Sequence, residues 1–125
     1  CFVHGDILTT NTIREKSGKV WIVDFSVSNH YPRVQELAVL GCNLLLGTSK
    51  EETMRRIDLA LEEYQKQTPL TPEELQSFPV FLKIAHAMHI LCPLYEEKAN
   101  RNMTDENAYW LKQGRTGLHQ LIDET

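Results

Sequence analysis

The apolar positions of this chain follow two different periods, and the change falls near residue 30. Before that point, β-branched and aromatic residues form short runs at 12–14 and 20–23, on either side of the turn-forming pair Ser17 and Gly18. Runs of this kind around a Ser-Gly turn predict a β-hairpin, and the opening run at 1–3 also has strand character. Beyond Pro32 the apolar residues recur every three or four positions, which predicts helices.

The first two predicted helices are separated by a glycine and a capping signal. An apolar stripe runs from Val34 to Leu45, and we expect this helix to end near Gly47. Ser49 is followed three positions later by Glu52, so their side chains can satisfy each other's free amides. The second helix is therefore predicted to begin at Ser49.

The third predicted helix has clear signals at both ends. Thr71 and Glu74 repeat the capping pattern, and Pro72 suits the first helical position, where no amide donor is needed. Since proline lacks the amide that continues a helix, we expect Pro93 to end this one. A fourth helix is predicted from Thr104, with Gly114 and Gly117 as weak points because glycine is a poor helix former.

These elements predict one domain over residues 1–125, mainly α with a small β-hairpin. Residues 1–30 hold the hairpin and its loops, and residues 31–125 form a helical subdomain. An apolar content of 42% and a charged content of 24% are typical of globular proteins.

Charge and hydropathy narrow the expected partners. The net charge of −4 and the scattered Lys and Arg residues provide no basic surface for a phosphate backbone, so we expect no nucleic acid partner. The longest uninterrupted apolar runs, such as that at 44–46, are too short to span a bilayer, so we expect no membrane partner. Nothing in the sequence predicts an oligomeric state.

The cysteines indicate a cellular compartment, and the first residue indicates whether the chain is part of a longer protein. Three cysteines at unpatterned spacing indicate reduced thiols, which predicts a cytoplasmic protein. The chain opens with Cys1 inside an apolar run, so we expect it to be a fragment or C-terminal portion of a longer protein.

Three polar residues in the first part of the chain have a spacing that suits phosphoryl transfer. Asn11 follows Asp6 by five positions, and Asp24 comes directly after a hydrophobic strand. Transfer of a γ-phosphoryl group needs a carboxylate for the substrate hydroxyl, and carboxylate and amide oxygens for Mg²⁺. Protein kinases place the base and the amide five positions apart on one loop, and begin Asp-Phe-Gly with the metal-binding carboxylate.

The same segments resemble the aminoglycoside phosphotransferase family, which includes choline kinases and a class of homoserine kinases. The resemblance rests on His4-Gly5-Asp6 through Asn11, on Ile22-Val23-Asp24-Phe25 and on Gln35-Glu36-Leu37-Ala38. It implies the C-terminal catalytic and substrate-binding lobe of a protein-kinase-like α+β fold. It also implies ATP- and Mg²⁺-dependent transfer to the hydroxyl of a small molecule such as an aminoglycoside, choline or homoserine.

The resemblance assigns a role to each matching residue. Asp6 would be the catalytic base, Asn11 and Asp24 would be Mg²⁺ ligands, and the His4 ring would support the loop by bonding to nearby backbone. Glu36 stands where the family usually has Asp, and its longer side chain is expected to brace the same loop.

Several nucleotide-binding motifs are absent from the sequence. There is no glycine-rich loop, no Walker-type loop, and no strand lysine followed by a helix glutamate before His4. We therefore expect the lobe that holds ATP to lie outside this chain, and the 125-residue polypeptide alone to have negligible transfer activity.

Two alternatives remain open at the level of sequence. Taken singly, Asp and Asn residues on loops are usually turn formers whose side chains bond to their own backbone. A kinase-like lobe lacking its nucleotide motifs could also be a non-catalytic helical binding or interaction module.

Aromatic and acidic residues near the last two helices are candidates for the acceptor site. Tyr95 and Trp110 could stack on a sugar or face a quaternary ammonium, but packing is the favoured explanation. Glu96 and Glu97, with Asp105 and Glu106, could attract a cationic acceptor, but the favoured explanation is the enrichment in acidic residues that the helix dipole produces at a helix N-terminus.

His86 and His89 lie three positions apart on one predicted helix. With Cys92 they could face a common metal ion, but no fourth ligand is apparent. The favoured interpretation is a packed core helix with histidines at its margin.

Overall fold

A computed structural model describes residues 1–122 of the chain. Over this range the chain forms two small antiparallel sheets followed by four helices, so the mainly helical fold with a β-hairpin is confirmed. In chain order the elements are β1 (Phe2–Val3), a 3₁₀ turn (Thr9–Asn11), β2 (Thr12–Arg14), β3 (Val20–Ile22), β4 (Asn29–His30), α1 (Arg33–Leu44), α2 (Lys50–Gln65), α3 (Pro72–Asn100) and α4 (Asp105–Leu121).

The predicted hairpin is formed by β2 and β3. Ile13 pairs with Trp21, and Gly18 adopts a φ of 88° in the connecting turn, a conformation that glycine reaches without strain. A second antiparallel pair, between β1 and β4, places Phe2 opposite His30. No local pattern in the sequence predicts this second pairing, because no tight turn joins the two strands.

The core lies where α1, α2 and α3 meet. Full burial of a Val, Leu, Ile or Phe side chain contributes about 1.5–3 kcal/mol, so this cluster stabilises the packing of the helices. Its members are Val34, Leu37, Ala38, Cys42, Ile57, Leu70, Phe78 and Leu82.

Both predicted capping residues cap their helices, but in different ways. Thr71 and Glu74 form the full reciprocal capping box at the start of α3. At α2 the Ser49 hydroxyl accepts from the Glu52 amide, as predicted. The Glu52 carboxylate instead accepts from the amide and hydroxyl of Thr48, at 2.8 Å each, so it closes the preceding turn.

The prediction that Pro93 ends the third helix is wrong. Helix α3 continues to Asn100, and Pro93 is buried inside it. Proline removes one backbone hydrogen bond, but it does not prevent the helix from continuing where tertiary packing holds both sides. Burial of Pro93 shows that the helix is packed against the rest of the fold at this position.

Gly114 and Gly117, which were expected to weaken the fourth helix, lie where α4 contacts α3. They therefore have a role in packing. A Cβ atom at residue 114 would lie 2.7 Å from the carbonyl oxygen of His86. A Cβ atom at residue 117 would lie 2.0 Å from Cε1 of the same residue. The absence of side chains at these two positions allows α4 to lie directly on α3.

Helix α3 is also long and apolar enough to cross a membrane by length and composition, with a mean hydropathy of 1.3 in its most apolar window. The prediction against a membrane partner depends on the short uninterrupted apolar runs. The mean hydropathy of α3 is a different measure, because it averages over apolar and polar residues together. One such helix is a weak indication, since core helices of globular proteins meet the same measure.

The hairpin exposes its apolar side chains. No residue of β2 or β3 is buried, and Ile13, Val20 and Phe25 each expose more than half of their surface. An isolated two-stranded hairpin is only marginally stable in water. Its apolar surface is therefore a candidate for coverage by further polypeptide.

Candidate functional site

The loop after β1 is held in place by the ring of His4. The Asp6 amide donates to His4 Nδ1 at 3.2 Å, so the proton of the neutral ring is on Nε2. Nε2 then donates to the carbonyl oxygen of Val23 at 2.9 Å. His4 is buried, and through these two bonds it ties the Asp6 loop to the end of β3.

Gly5 and Glu36 make a second attachment of the same loop. Gly5 has a φ of 84°, and a Cβ atom there would lie 3.2 Å from the carbonyl oxygen of Val27, so glycine is required on both grounds. The Gly5 amide donates to Glu36 Oε2 at 3.0 Å. Glu36 thus anchors the loop to α1.

Asp6 and Asn11 are in direct contact. Asn11 Nδ2 donates to the Asp6 carboxylate at 3.1 Å and to the Asp6 carbonyl oxygen at 2.9 Å. The carbonyl oxygen of Asn11 accepts from the Val23 amide at 3.0 Å. The 3₁₀ turn Thr9–Asn11 brings these groups together across five positions of sequence.

Asp24 follows directly after the pairing between Asn11 and Val23. It is an exposed non-glycine residue with a φ of 63°, a left-handed conformation that often marks functional loops. Its Oδ1 accepts from the Ser26 amide at 3.3 Å. Hydrogen bonds from Ser26 lower the pKa of the Asp24 carboxyl, so it is ionised at neutral pH.

The oxygens of Asn11 and Asp24 fit the preferences of a hard divalent cation. Because Asn11 Nδ2 is directed to Asp6, Asn11 Oδ1 points away from that bond and accepts no hydrogen bond from residues 1–122. Mg²⁺ prefers such oxygen ligands and retains several waters. Among the same residues, no group of three or more His, Cys, Asp or Glu side chains is placed to hold a metal ion. Any cation here would therefore depend on the amide as well as on carboxylates.

A cavity of about 300 Å³ lies on one side of Asp6, between the loop, α1 and α3. Its wall is largely apolar, with two carboxamides from α1. The lining residues are Gly5, Asp6, Gln35, Val39, Asn43, Phe81, Ile84, Ala85, Met88 and His89. We call it the α1 cavity.

A second cavity, of about 260 Å³, lies on the other side of Asp6, between α3 and α4. It is more acidic and has an aromatic wall. The lining residues are Asp6, Leu8, Met88, His89, Cys92, Pro93, Glu96, Glu106, Asn107 and Trp110. We call it the α4 cavity.

Two of the four residues predicted to contact the acceptor line a cavity, and two do not. Glu96 and Trp110 line the α4 cavity. Tyr95 is 71% exposed and Glu97 is also exposed, and neither belongs to the lining of that cavity.

Cys42, and not Cys92, is the cysteine that meets the two histidines of α3. Cys42 Sγ lies 3.2 Å from Nδ1 of His86 and 3.3 Å from Nδ1 of His89. These separations are hydrogen bonds involving a thiol. Burial raises the pKa of Cys42 to about 12 and lowers that of His86 to about 4, so both groups are neutral at pH 7.

The two histidines differ in their surroundings. His86 is 1% exposed, so it belongs to the core and not to its margin as expected. His89 is partly exposed, packs against the Trp110 ring at 4.7 Å, and lines both cavities. The exposed Cys92 lines only the α4 cavity of the two.

Three residues that the sequence does not predict as part of the acceptor site line the cavities. His89 and Met88 line both cavities, while Asn43 lines the α1 cavity. Their helical spacing resembles that of core residues, and only the packing of α3 against α1 and α4 reveals their position beside Asp6. The one available signal is a histidine on an apolar helix, a pattern that favours packing.

Comparison with known proteins gives no further guidance: no family model, no curated protein and no solved structure matches the chain.

Proposed function

We propose that this chain is the catalytic and acceptor-binding lobe of an ATP- and Mg²⁺-dependent phosphotransferase that acts on a hydroxyl group of a small molecule. One observation carries the proposal. The Asp6 carboxylate is bonded by Asn11, five positions later, and lies between two cavities of small-molecule size. This matches the needs of a base that meets its substrate in a cleft.

In this proposal the residues of the chain supply the base and its orientation. The acceptor oxygen attacks the γ-phosphorus of ATP and forms a new P–O bond while the bond to the leaving ADP breaks. The acceptor proton passes to Asp6, whose carboxylate is oriented by Asn11. The bonds of His4 and Glu36 to the loop keep that carboxylate at the cleft.

Asn11 and Asp24 would hold Mg²⁺, which would neutralise charge on the phosphates when bound. The Asp24 carboxyl, whose pKa is lowered by its hydrogen bonds from Ser26, offers a charged oxygen ligand of the kind that Mg²⁺ prefers. The main-chain bond between the Val23 amide and the Asn11 carbonyl oxygen joins the residue before Asp24 to Asn11.

The exposed apolar hairpin supports the proposal that a nucleotide-holding lobe completes the site. Apolar side chains from Ile13 to Val27 lie on the segment that carries Asp24. A lobe that covered them would also enclose phosphates held near Asp24. The expected inactivity of the isolated chain follows from the same proposal.

The acceptor is a compound with a free hydroxyl group, of the kind represented by an aminoglycoside, choline or homoserine. The α4 cavity provides Trp110 and Glu96, which suit an amine or a sugar face. Tyr95 and Glu97 could contribute only from the rim, given their exposure.

Substitution of Asp6 tests the proposal in the protein encoded by the complete reading frame that contains this chain. With ATP, Mg²⁺ and a panel of kanamycin, choline and L-homoserine, we expect wild-type protein to release ADP. D6N should lower kcat at least about 1,000-fold with little change in Tm, because a loop carboxylate adds little to the core.

The exposed Asp58 of α2 provides the control, and D58N should retain full turnover. Turnover by D6N close to that of wild type would refute the assignment of the base. Wild-type protein that releases no ADP, and whose Tm does not change with Mg²⁺ and ATP, would favour the non-catalytic binding module.

A further inference from the structure

A short hydrogen-bonded chain connects the core to the cleft. It runs from the buried ring of His86 through the Cys42 thiol to the ring of His89, with both imidazoles using Nδ1. His86 Nε2 is buried and has no partner within the described residues. His89 Nε2 makes no hydrogen bond to residues 1–122 and does not belong to the buried unpaired atoms.

The burial of His86 Nε2 determines where the protons lie. A buried N–H without an acceptor is rarer in proteins than a buried acceptor without a donor. His86 is therefore expected to carry its proton on Nδ1 and to donate to Cys42 Sγ. The thiol, with a single proton of its own, then donates to His89 Nδ1.

His89 must consequently carry its proton on Nε2, the nitrogen that is free of protein partners. The Trp110 ring packs against the imidazole at 4.7 Å and restricts its rotation. Gly114 lets α4 approach so closely that a Cβ atom there would lie 2.8 Å from Cβ of His89. The ring is thus held from two sides with a hydrogen-bond donor available at the cleft.

We infer that His89 is an acceptor-positioning residue, and that its Nε2–H donates to an oxygen of the acceptor next to the reacting hydroxyl. This inference rests on the proposed function. It follows from the position of His89, which shares both cavities with Asp6. A donor on the neighbouring oxygen leaves the lone pairs of the reacting oxygen free to attack phosphorus while Asp6 takes the proton.

A matched pair of amide variants separates this role from a structural one. Glutamine places its side-chain amide near the position of imidazole Nε2, where an N–H can donate to the acceptor. Asparagine places its amide near the position of Nδ1, where the carbonyl oxygen can accept from the Cys42 thiol. H89Q therefore keeps a donor at the cleft, and H89N keeps a partner for Cys42. A purely structural role predicts that H89N is the milder change.

The experiment uses the complete enzyme and whichever of kanamycin and L-homoserine gives the greater ADP release. Choline has no second oxygen, so activity confined to choline would overturn the inference about His89. We expect H89N to lower kcat/KM about 10–100-fold, and H89Q to stay within about threefold of wild type. Side-chain ¹H–¹⁵N spectra of the 125-residue chain should show His86 protonated on Nδ1 and His89 on Nε2.

The experiment distinguishes an error in the inference about His89 from an error in the proposed function. An active wild-type enzyme in which H89N is as active as H89Q, or a spectrum with the His89 proton on Nδ1, overturns the inference about His89 and leaves the assignment of Asp6 intact. A wild-type enzyme that releases no ADP overturns the proposed function, and with it any role of His89 toward an acceptor.

Discussion

Gly117 of α4 lies directly against the imidazole of His86 on α3, so that a Cβ atom at residue 117 would be 2.0 Å from Cε1 and 2.2 Å from Nδ1 of that ring. The ring is held between this backbone and the thiol of Cys42. With Gly114, this residue without a side chain allows the close approach of the two helices that form the α4 cavity.

Replacing Gly117 by alanine should destabilise the protein, although alanine is the better helix former. Overpacking of this kind typically costs about 1–3 kcal/mol, which exceeds the gain of about 1 kcal/mol in helix propensity. Urea denaturation of G117A should show the lower midpoint. T116A, at the exposed neighbouring position, should stay within about 0.5 kcal/mol of wild type, and a G117A variant as stable as wild type would contradict the observed packing.

The stability of the fold should decrease as the pH falls below 7, because of His86. Burial lowers the pKa of His86 from 6.5 to about 4, so between these values the unfolded chain binds a proton that the folded chain excludes. This contribution is fully present above pH 6.5 and is lost as the pH falls toward 4. We expect a loss of about 2 kcal/mol between pH 7.5 and pH 5.

Urea denaturation across that pH range would measure the effect. H86Q should reduce the slope by at least half, with the remainder from His89, whose pKa burial also lowers. H119Q, at an exposed histidine of α4, should leave the slope unchanged. A wild-type protein equally stable at pH 5 and pH 7.5 would exclude a neutral, buried His86.

Local signals in the sequence were sufficient to place the beginnings of the helices. Ser49 and Thr71 cap the helices that they were predicted to cap, because a cap depends on residues within one turn. Pro93 does not end α3, because tertiary packing determines where this helix ends. No residue pattern within one turn predicts that packing. The pairing of β1 with β4 was missed for the same reason, since it joins strands that no tight turn connects.

The same distinction between local signals and tertiary packing applies to the residues of the candidate site. Asp6, Asn11 and Asp24 lie on a loop and a hairpin of known spacing, so the sequence could suggest that they act together. The Cys42 contact with His86 and His89 joins α1 to α3 across more than forty residues of sequence. Such a contact depends on the way in which helices pack, whereas the sequence spacing groups the two histidines with Cys92.

Shortening Glu36 to aspartate should loosen the Asp6 loop without unfolding the protein. Glu36 Oε2 accepts from the Gly5 amide at 3.0 Å, and loss of one methylene would withdraw the carboxylate from that donor. A hydrogen bond to a charged group contributes about 1.5–3 kcal/mol, so exchange of the Gly5 amide hydrogen should be at least about tenfold faster in E36D. E36Q keeps an oxygen in place and should change the rate less. Unchanged Gly5 exchange in E36D would show that the loop is held without Glu36.

Divalent cations should bind weakly to the isolated chain at the end of β3. The Asp24 carboxylate is ionised at neutral pH, and Asn11 Oδ1 accepts no hydrogen bond from residues 1–122, so each residue offers an oxygen ligand of the kind that such cations prefer. Substoichiometric Mn²⁺, used as a paramagnetic substitute for Mg²⁺, should broaden the amide signals of Asn11 and Asp24 before those of α2. D24N should weaken this selective broadening, because it removes the ligand charge while keeping the shape, and D58N should not. Equal broadening in wild type and D24N would place the cation elsewhere, and the proposed role of Asp24 as a metal ligand would then be wrong.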